Sequence, residues 1–202
     1  MNWMRLLMMA LLGWTALGVL GVLLSLARRE RQKVVSGVSW IAGIWLVYVA
    51  VLATVSARQP QRVVGLGQEQ CFGDMCFAVK KVEELPRFLG VNGLGDGSRL
   101  VRVTVEVKNK GKGDAESDDL LRAYLIDAQG RRWVESKGVS GNRLTGRVAA
   151  GDEMLSEPVF KLPADATGLR LVFTHGRWQP GVLVIGDSDS WWHKRTVVPL
   201  GI

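Results

Sequence analysis

Two charge-free apolar runs, Leu6–Ala27 and Val34–Ala57, restrict what this chain can become. They are 22 and 24 residues long, and a helix needs about 20 apolar residues to cross the hydrocarbon core of a bilayer. In lipid every backbone N–H and C=O must find its partner inside the segment, so two isolated spans can only be helices. The six residues between them, 28–33, leave room for a turn and little else, which predicts a helical hairpin. Neither run contains Asp, Glu, His, Lys or Arg. An anchor therefore fits, and a proton relay or ion path does not. The expected organisation is a two-helix segment (1–57, helices at 6–27 and 34–57), a linker at 58–70 and a second domain over 71–202.

A cleaved signal peptide is the rival reading of the first run. Arg5 supplies a positive n-region, and Ser25-Leu26-Ala27 fits a small-x-small cleavage site. Against it, the run exceeds the usual 7 to about 15 residues, no polar region precedes the cut, and another span follows at once. Were the first run removed, the second would still anchor the chain.

The formal charge of +7 suggests nucleic acid only until it is located. Residues 1–62 hold seven Lys/Arg and one acid, whereas 63–202 hold nineteen Lys/Arg and eighteen Asp/Glu. Basicity belongs to the helix flanks, so nucleic acid is not an expected partner. The loop Arg28-Arg29-Glu30-Arg31-Gln32-Lys33 carries four cations, against Arg5, Arg58 and Arg62 on the other flanks. Cations beside spans are retained on the cytoplasmic side. The expected topology is two-pass in a plasma membrane, with both termini and the C-terminal domain outside.

The two cysteines, Cys71 and Cys76, enclose Phe72-Gly73-Asp74-Met75. Gly-Asp is turn chemistry, and two strands leaving it bring the sulfurs within bonding range. A disulfide persists in an oxidising compartment, which agrees with an outside domain. A redox-catalytic pair is the competing reading, but such pairs are usually Cys-x-x-Cys at a helix start.

Beyond the linker the pattern is β. Val101, Val103, Val105 and Val107 alternate with Arg102, Thr104, Glu106 and Lys108, the signature of a half-buried strand. Further strands are expected at Phe77–Val82, Leu120–Asp127, Arg131–Glu135, Glu153–Leu162 (with an edge or bulge at Pro158), Leu169–Thr174, Val182–Ile185 and Thr196–Leu200. About eight short strands punctuated by turns predict an all-β sandwich.

Three stretches resemble a bacterial family of immunoglobulin-like domains, known as domain of unknown function 4352. They are Val101–Asn109 ahead of a Gly turn, Tyr124–Trp133 with its Asp-x-x-Gly hairpin, and Ala150–Glu153 followed by Val159–Pro163. The resemblance spans roughly 70–175. It implies an extracytoplasmic, immunoglobulin-like sandwich and brings no catalytic residues with it. Here the anchor is a helical hairpin, where part of the family uses a lipoprotein signal.

Candidate sites are few. His175 and His193 are the only histidines, and with the cysteines they match only half of a Cys₂His₂ spacing, so no metal is expected. Gly93-Leu94-Gly95-Asp96-Gly97 precedes a strand and lacks the helix dipole of a phosphate cradle. Asp187 and Asp189 lack the Gly and distal Glu of a calcium loop. Trp191, Trp192 and His193, followed by Lys194 and Arg195, form a candidate interaction patch. Three readings stand: a protein hot spot, a membrane-interface anchor, or one indole packed in the sandwich with the other covering an edge. The leading expectation is a non-enzymatic, cofactor-free module, partnered by the bilayer and an envelope protein. The alternative is a thiol-disulfide accessory protein acting through Cys71 and Cys76.

Overall fold

The computed structural model describes residues 3–85, 97–136, 140–176, 180–187 and 189–202. It divides into two compact units. The first contains α1 (Trp3–Ala27) and α2 (Arg31–Arg58), together with the described residues between Pro180 and Lys194. Residue pairs Gly37/Val22, Gly18/Ile41 and Trp45/Thr15 touch, so the helices run antiparallel. A Cβ on Gly37 would lie 2.8 Å from the Val22 side chain, so a larger residue would need Val22 to move. At Gly21 and Gly43, by contrast, an added Cβ meets nothing within 4 Å, so these glycines are not needed for the packing.

The turn between the helices is a Schellman motif. Glu30 N–H bonds Ser25 C=O at 2.9 Å and Arg29 N–H bonds Leu26 C=O at 3.0 Å. Arg29 holds the left-handed position (φ 58°) that glycine normally fills. Most side chains on both helices face outward, with Leu17 and Leu46 each 71% exposed. Contiguous exposed apolar surface on this scale marks a face that meets a membrane or another protein.

The second unit runs from Gln61 to Gly176 and closes with Arg195–Ile202. Its strands are β1 (Glu69–Phe72), β2 (Met75–Leu85), β3 (Ser98–Asn109), β4 (Arg122–Ile126), β5 (Arg132–Val134), β6 (Glu153–Ser156), β7 (Val159–Pro163), β8 (Arg170–Thr174) and β9 (Val198–Pro199). One antiparallel sheet runs β1-β2-β3-β6, with β7 also on β3; the other runs β5-β4-β8-β9. Val101, Val103, Val105 and Val107 are wholly buried between the sheets with Phe77, Leu125, Phe160, Leu171 and Phe173. This is the expected β-sandwich, and β3 presents the valine face that alternation predicts.

Four details depart from expectation. Glu153–Leu162 is two strands, because Pro158 has no N–H to continue the ladder: β6 pairs with Val105–Lys108 and β7 with Ser98–Arg102. Val182–Ile185 is not a strand; a 3₁₀ turn spans Pro180–Leu183 and further turns follow. Its apolar side chains pack on the helices, so the short β-prone run carried a misleading period. The expected linker is partly sandwich, since Val64 lies in the core and bonds Val197 C=O at 2.9 Å. Finally, β2 carries a bulge between Val79 and Lys81, which returns Val82 toward the core.

Candidate functional site

Cys71 and Cys76 face each other across the β1–β2 hairpin and form a disulfide. Gly73, at φ 65°, occupies the first central position of the two-residue turn, where a primed hairpin turn calls for glycine. Cys71 is exposed and Cys76 buried. Glu69 lies beside them, and among the described residues these three form the one cluster close enough to share a metal ion. Both sulfurs are already committed to each other, and the Glu69 carboxylate pairs with Lys110. The Lys110 hydrogen bond and charge pull the Glu69 pKa down. The cluster is a braced hairpin and not a set of open ligands.

The C-terminal patch lies on the helical unit. Tyr48 Oη donates to Leu183 C=O at 2.5 Å, the Ser56 and Ser190 hydroxyls meet at 2.9 Å, and Arg5 approaches Asp187 at 3.7 Å. Leu183 and Ile185 pack with Leu11, Trp45, Tyr48 and Leu52. The segment also satisfies itself: Trp191 N–H bonds Val182 C=O, His193 N–H bonds Ser190 C=O, and Asp189 N–H bonds the Asp187 carboxylate. Asp187 thus serves a turn and an ion pair, which accounts for the aspartate that resembled part of a calcium loop. Trp191 and Trp192 stack edge-to-face at 5.4 Å and are 47% and 59% exposed. Both indoles belong to the helical unit. Trp192 adopts φ 61°, uncommon for a residue with a Cβ.

The histidines are not brought together. His175 belongs to the sandwich, where Nε2 contacts Asp118 Oδ2 at 2.6 Å and the ring meets Phe72 edge-on at 4.7 Å. His193 belongs to the helical unit. Gly93-Leu94-Gly95-Asp96 lies outside the described residues.

A family model for a domain of unknown function, DUF4352, matches residues 64–181, more than half of the chain. The chain belongs to the DUF4352 family. Solved structures similar to it include an uncharacterized β-sandwich protein from Clostridium difficile 630, at 13% identity and TM-score 0.45, covering 71% of this chain and 96% of that one. A secreted protein from Mycobacterium tuberculosis shares 8% identity at TM-score 0.45 over 69% of this chain and 98% of its own. A conserved hypothetical protein from Bacillus anthracis shares 14% at TM-score 0.43 over 55% and 87%. No curated protein matches.

The DUF4352 stretches read from the sequence are structural in this chain. Asp127 accepts N–H bonds from Gln129 (3.0 Å) and Arg131 (2.9 Å) and pairs with Arg131 Nε at 2.7 Å, closing the β4–β5 turn. Burial pushes its pKa up, and Arg131 with the two backbone N–H groups outweighs that, so the net shift is downward. Asn109 donates to Val148 C=O at 3.1 Å and accepts from Gly111 N–H at 2.8 Å, fixing the end of β3. A Cβ on Gly111 would come within 2.9 Å of the Asn109 side chain, which is why glycine follows there. Sequence reasoning missed the polar contacts of Thr15, Trp45, Tyr48 and Ser56. A Thr and a Tyr inside an apolar run were the available signal.

Proposed function

We propose that this DUF4352 protein is a two-pass, non-enzymatic membrane module that displays its sandwich on the outer face of a bacterial plasma membrane for contact with another envelope protein. The observation that carries the reading is the pairing of an outward-facing apolar hairpin with a cation-rich turn. Arg29 stands where backbone geometry favours glycine, at a cost of about 1–2 kcal/mol. Its charge adds to the cations of the turn, which the topology rule counts. The Cys71–Cys76 bond supports the same sidedness, because disulfides endure outside the cytosol. The polar residues of the family motifs are engaged in turns and strand ends, which favours scaffolding over chemistry.

Protease added to spheroplasts should remove the sandwich, while inside-out vesicles protect it; the reverse pattern would sink the topology. In-membrane crosslinking followed by co-purification tests the partner, and recovery of no specific neighbour would remove the assembly role. Exposed Cys71 keeps the thiol-disulfide alternative in view. Mixed disulfides trapped on Cys76→Ser, which leaves Cys71 free, would replace the scaffolding reading with that one.

A further inference from the structure

We infer that residues 180–187 and 189–194 form a third membrane-contacting element, a cap seated at the outer headgroup boundary with Trp191 and Trp192 against lipid. The inference rests on the hairpin reading above. Starting from Val34 at the inner edge, about 30 Å of hydrocarbon accommodates about 20 helical residues at 1.5 Å each. The outer boundary therefore falls near Ala53. Tyr48 lies about 8 Å below it and Ser56 about 4 Å above it. These two residues bond to Leu183 C=O and to Ser190. The cap thus straddles the boundary.

Irregular backbone at that depth needs its polar groups satisfied by protein. The cap supplies much of that satisfaction itself. Val184, Asp187, Ser190, Trp191 and His193 N–H groups all bond carbonyls of the same segment, and Leu183 C=O takes the Tyr48 hydroxyl. Its polar side chains Asp189 and Ser190 are buried, whereas the large apolar side chains left exposed are the two indoles. Trp3, at the same end of the hairpin, is exposed as well. Indoles settle at the headgroup level, and the exposed cation Lys194 follows closely, suited to anionic headgroups. A protein hot spot would need no attachment below the hydrocarbon boundary.

The test uses the full chain in liposomes and takes difference fluorescence. Wild type minus Trp191→Phe/Trp192→Phe isolates the cap; wild type minus Trp14→Phe isolates the middle of α1. The cap signal should lose most of its intensity to lipid brominated near the headgroup and little to aqueous iodide. Quenching by iodide alone would overturn the cap and return the pair to a protein-facing role. The Trp14 signal separates the two levels. If deep brominated lipid quenches it, the anchor stands whatever the cap does; if not, the anchor reading itself has failed. Labelling of wild-type peptides covering Trp191 and Trp192 by a headgroup-proximal photoactivatable lipid repeats the test without substitution, and absence of label there counts against the cap.

Discussion

The helical unit and the sandwich are built inside out relative to each other. In the sandwich, Val101, Val103, Val105, Val107 and Phe160 are wholly buried, while Lys80, Lys108 and Glu106 form ion pairs on the far face of the sheet. In the helical unit most leucines face outward, and polar contacts lie within it: Trp45 to Thr15, Tyr48 to Leu183 and Ser56 to Ser190. On the proposed membrane reading, the inversion follows from the solvent. Water drives apolar side chains together, whereas lipid is as apolar as leucine and leaves close packing and hydrogen bonds to hold helices. One chain therefore carries two stabilising mechanisms, and each should fail under its own perturbation.

The sharpest break is Phe160→Ala. Its ring is fully buried in the shared core, so truncation should cost about 3–5 kcal/mol of sandwich stability. Urea unfolding in detergent micelles, followed by near-UV signals of the sandwich and helical circular dichroism, should show the first transition moving far down while the second stays. A single merged transition would mean the two units do not hold themselves together independently.

Next comes Cys71→Ser/Cys76→Ser. Cross-linking so short a loop is worth about 2 kcal/mol in the chain-entropy model. The urea midpoint of the sandwich should fall by a corresponding amount, with the helical signal unchanged. An unaltered midpoint would show that the hairpin is held by its Gly73 turn and β2–β3 pairing alone.

Acid should separate the units without substitution. Asp127 and Glu106 both have depressed pKa values: burial pushes each up, and Arg131 with backbone N–H groups in one case, Lys80 and Lys108 in the other, outweighs it. A carboxylate depressed in the folded state adds stability that is present above its unfolded pKa, about 4, and lost as pH falls through the folded value. The thermal midpoint of the sandwich should thus decline below about pH 4, and less steeply in Asp127→Asn and Glu106→Gln. The spans contain no titratable carboxylate, so helical content should hold over the same range.

How much of this was legible follows the same division. The spans, the valine face of β3, the cysteine hairpin and the sandwich class were all visible, because each is a periodic or composition-driven pattern. The Lys80-Lys81 bulge was not, since an extra residue in one strand breaks alternation without leaving a turn signal. Nor was the placement of Val182–Ile185: four apolar residues in a row fit a strand or a buried turn equally, and only tertiary packing on Leu52 and Tyr48 decides. The patch residues were picked out by composition, but their attachment through Leu183 and Ser190 depends on helix positions more than a hundred residues away.

The smallest expected effect tests the inversion most directly. Trp45 Nε1–H donates to Thr15 Oγ1 at 3.0 Å, and that hydroxyl donates in turn to Leu11 C=O at 2.8 Å. In water an indole N–H released from such a bond would find solvent. In the hydrocarbon, where the proposed function puts it, it has only other protein groups, yet the unfolded-in-membrane state also finds partners, which holds the measured worth of such bonds to about 0.6 kcal/mol. Trp45→Phe keeps most of the ring and removes the donor, so the hairpin should weaken by about that amount in steric-trapping or SDS titration. The urea midpoint of the sandwich should not move. Thr15→Val in the same background should then add little, because the bond is already gone. A loss of several kcal/mol, or full additivity of the two changes, would show that the helices are held by packing around Trp45 and Gly37 and not by this polar contact.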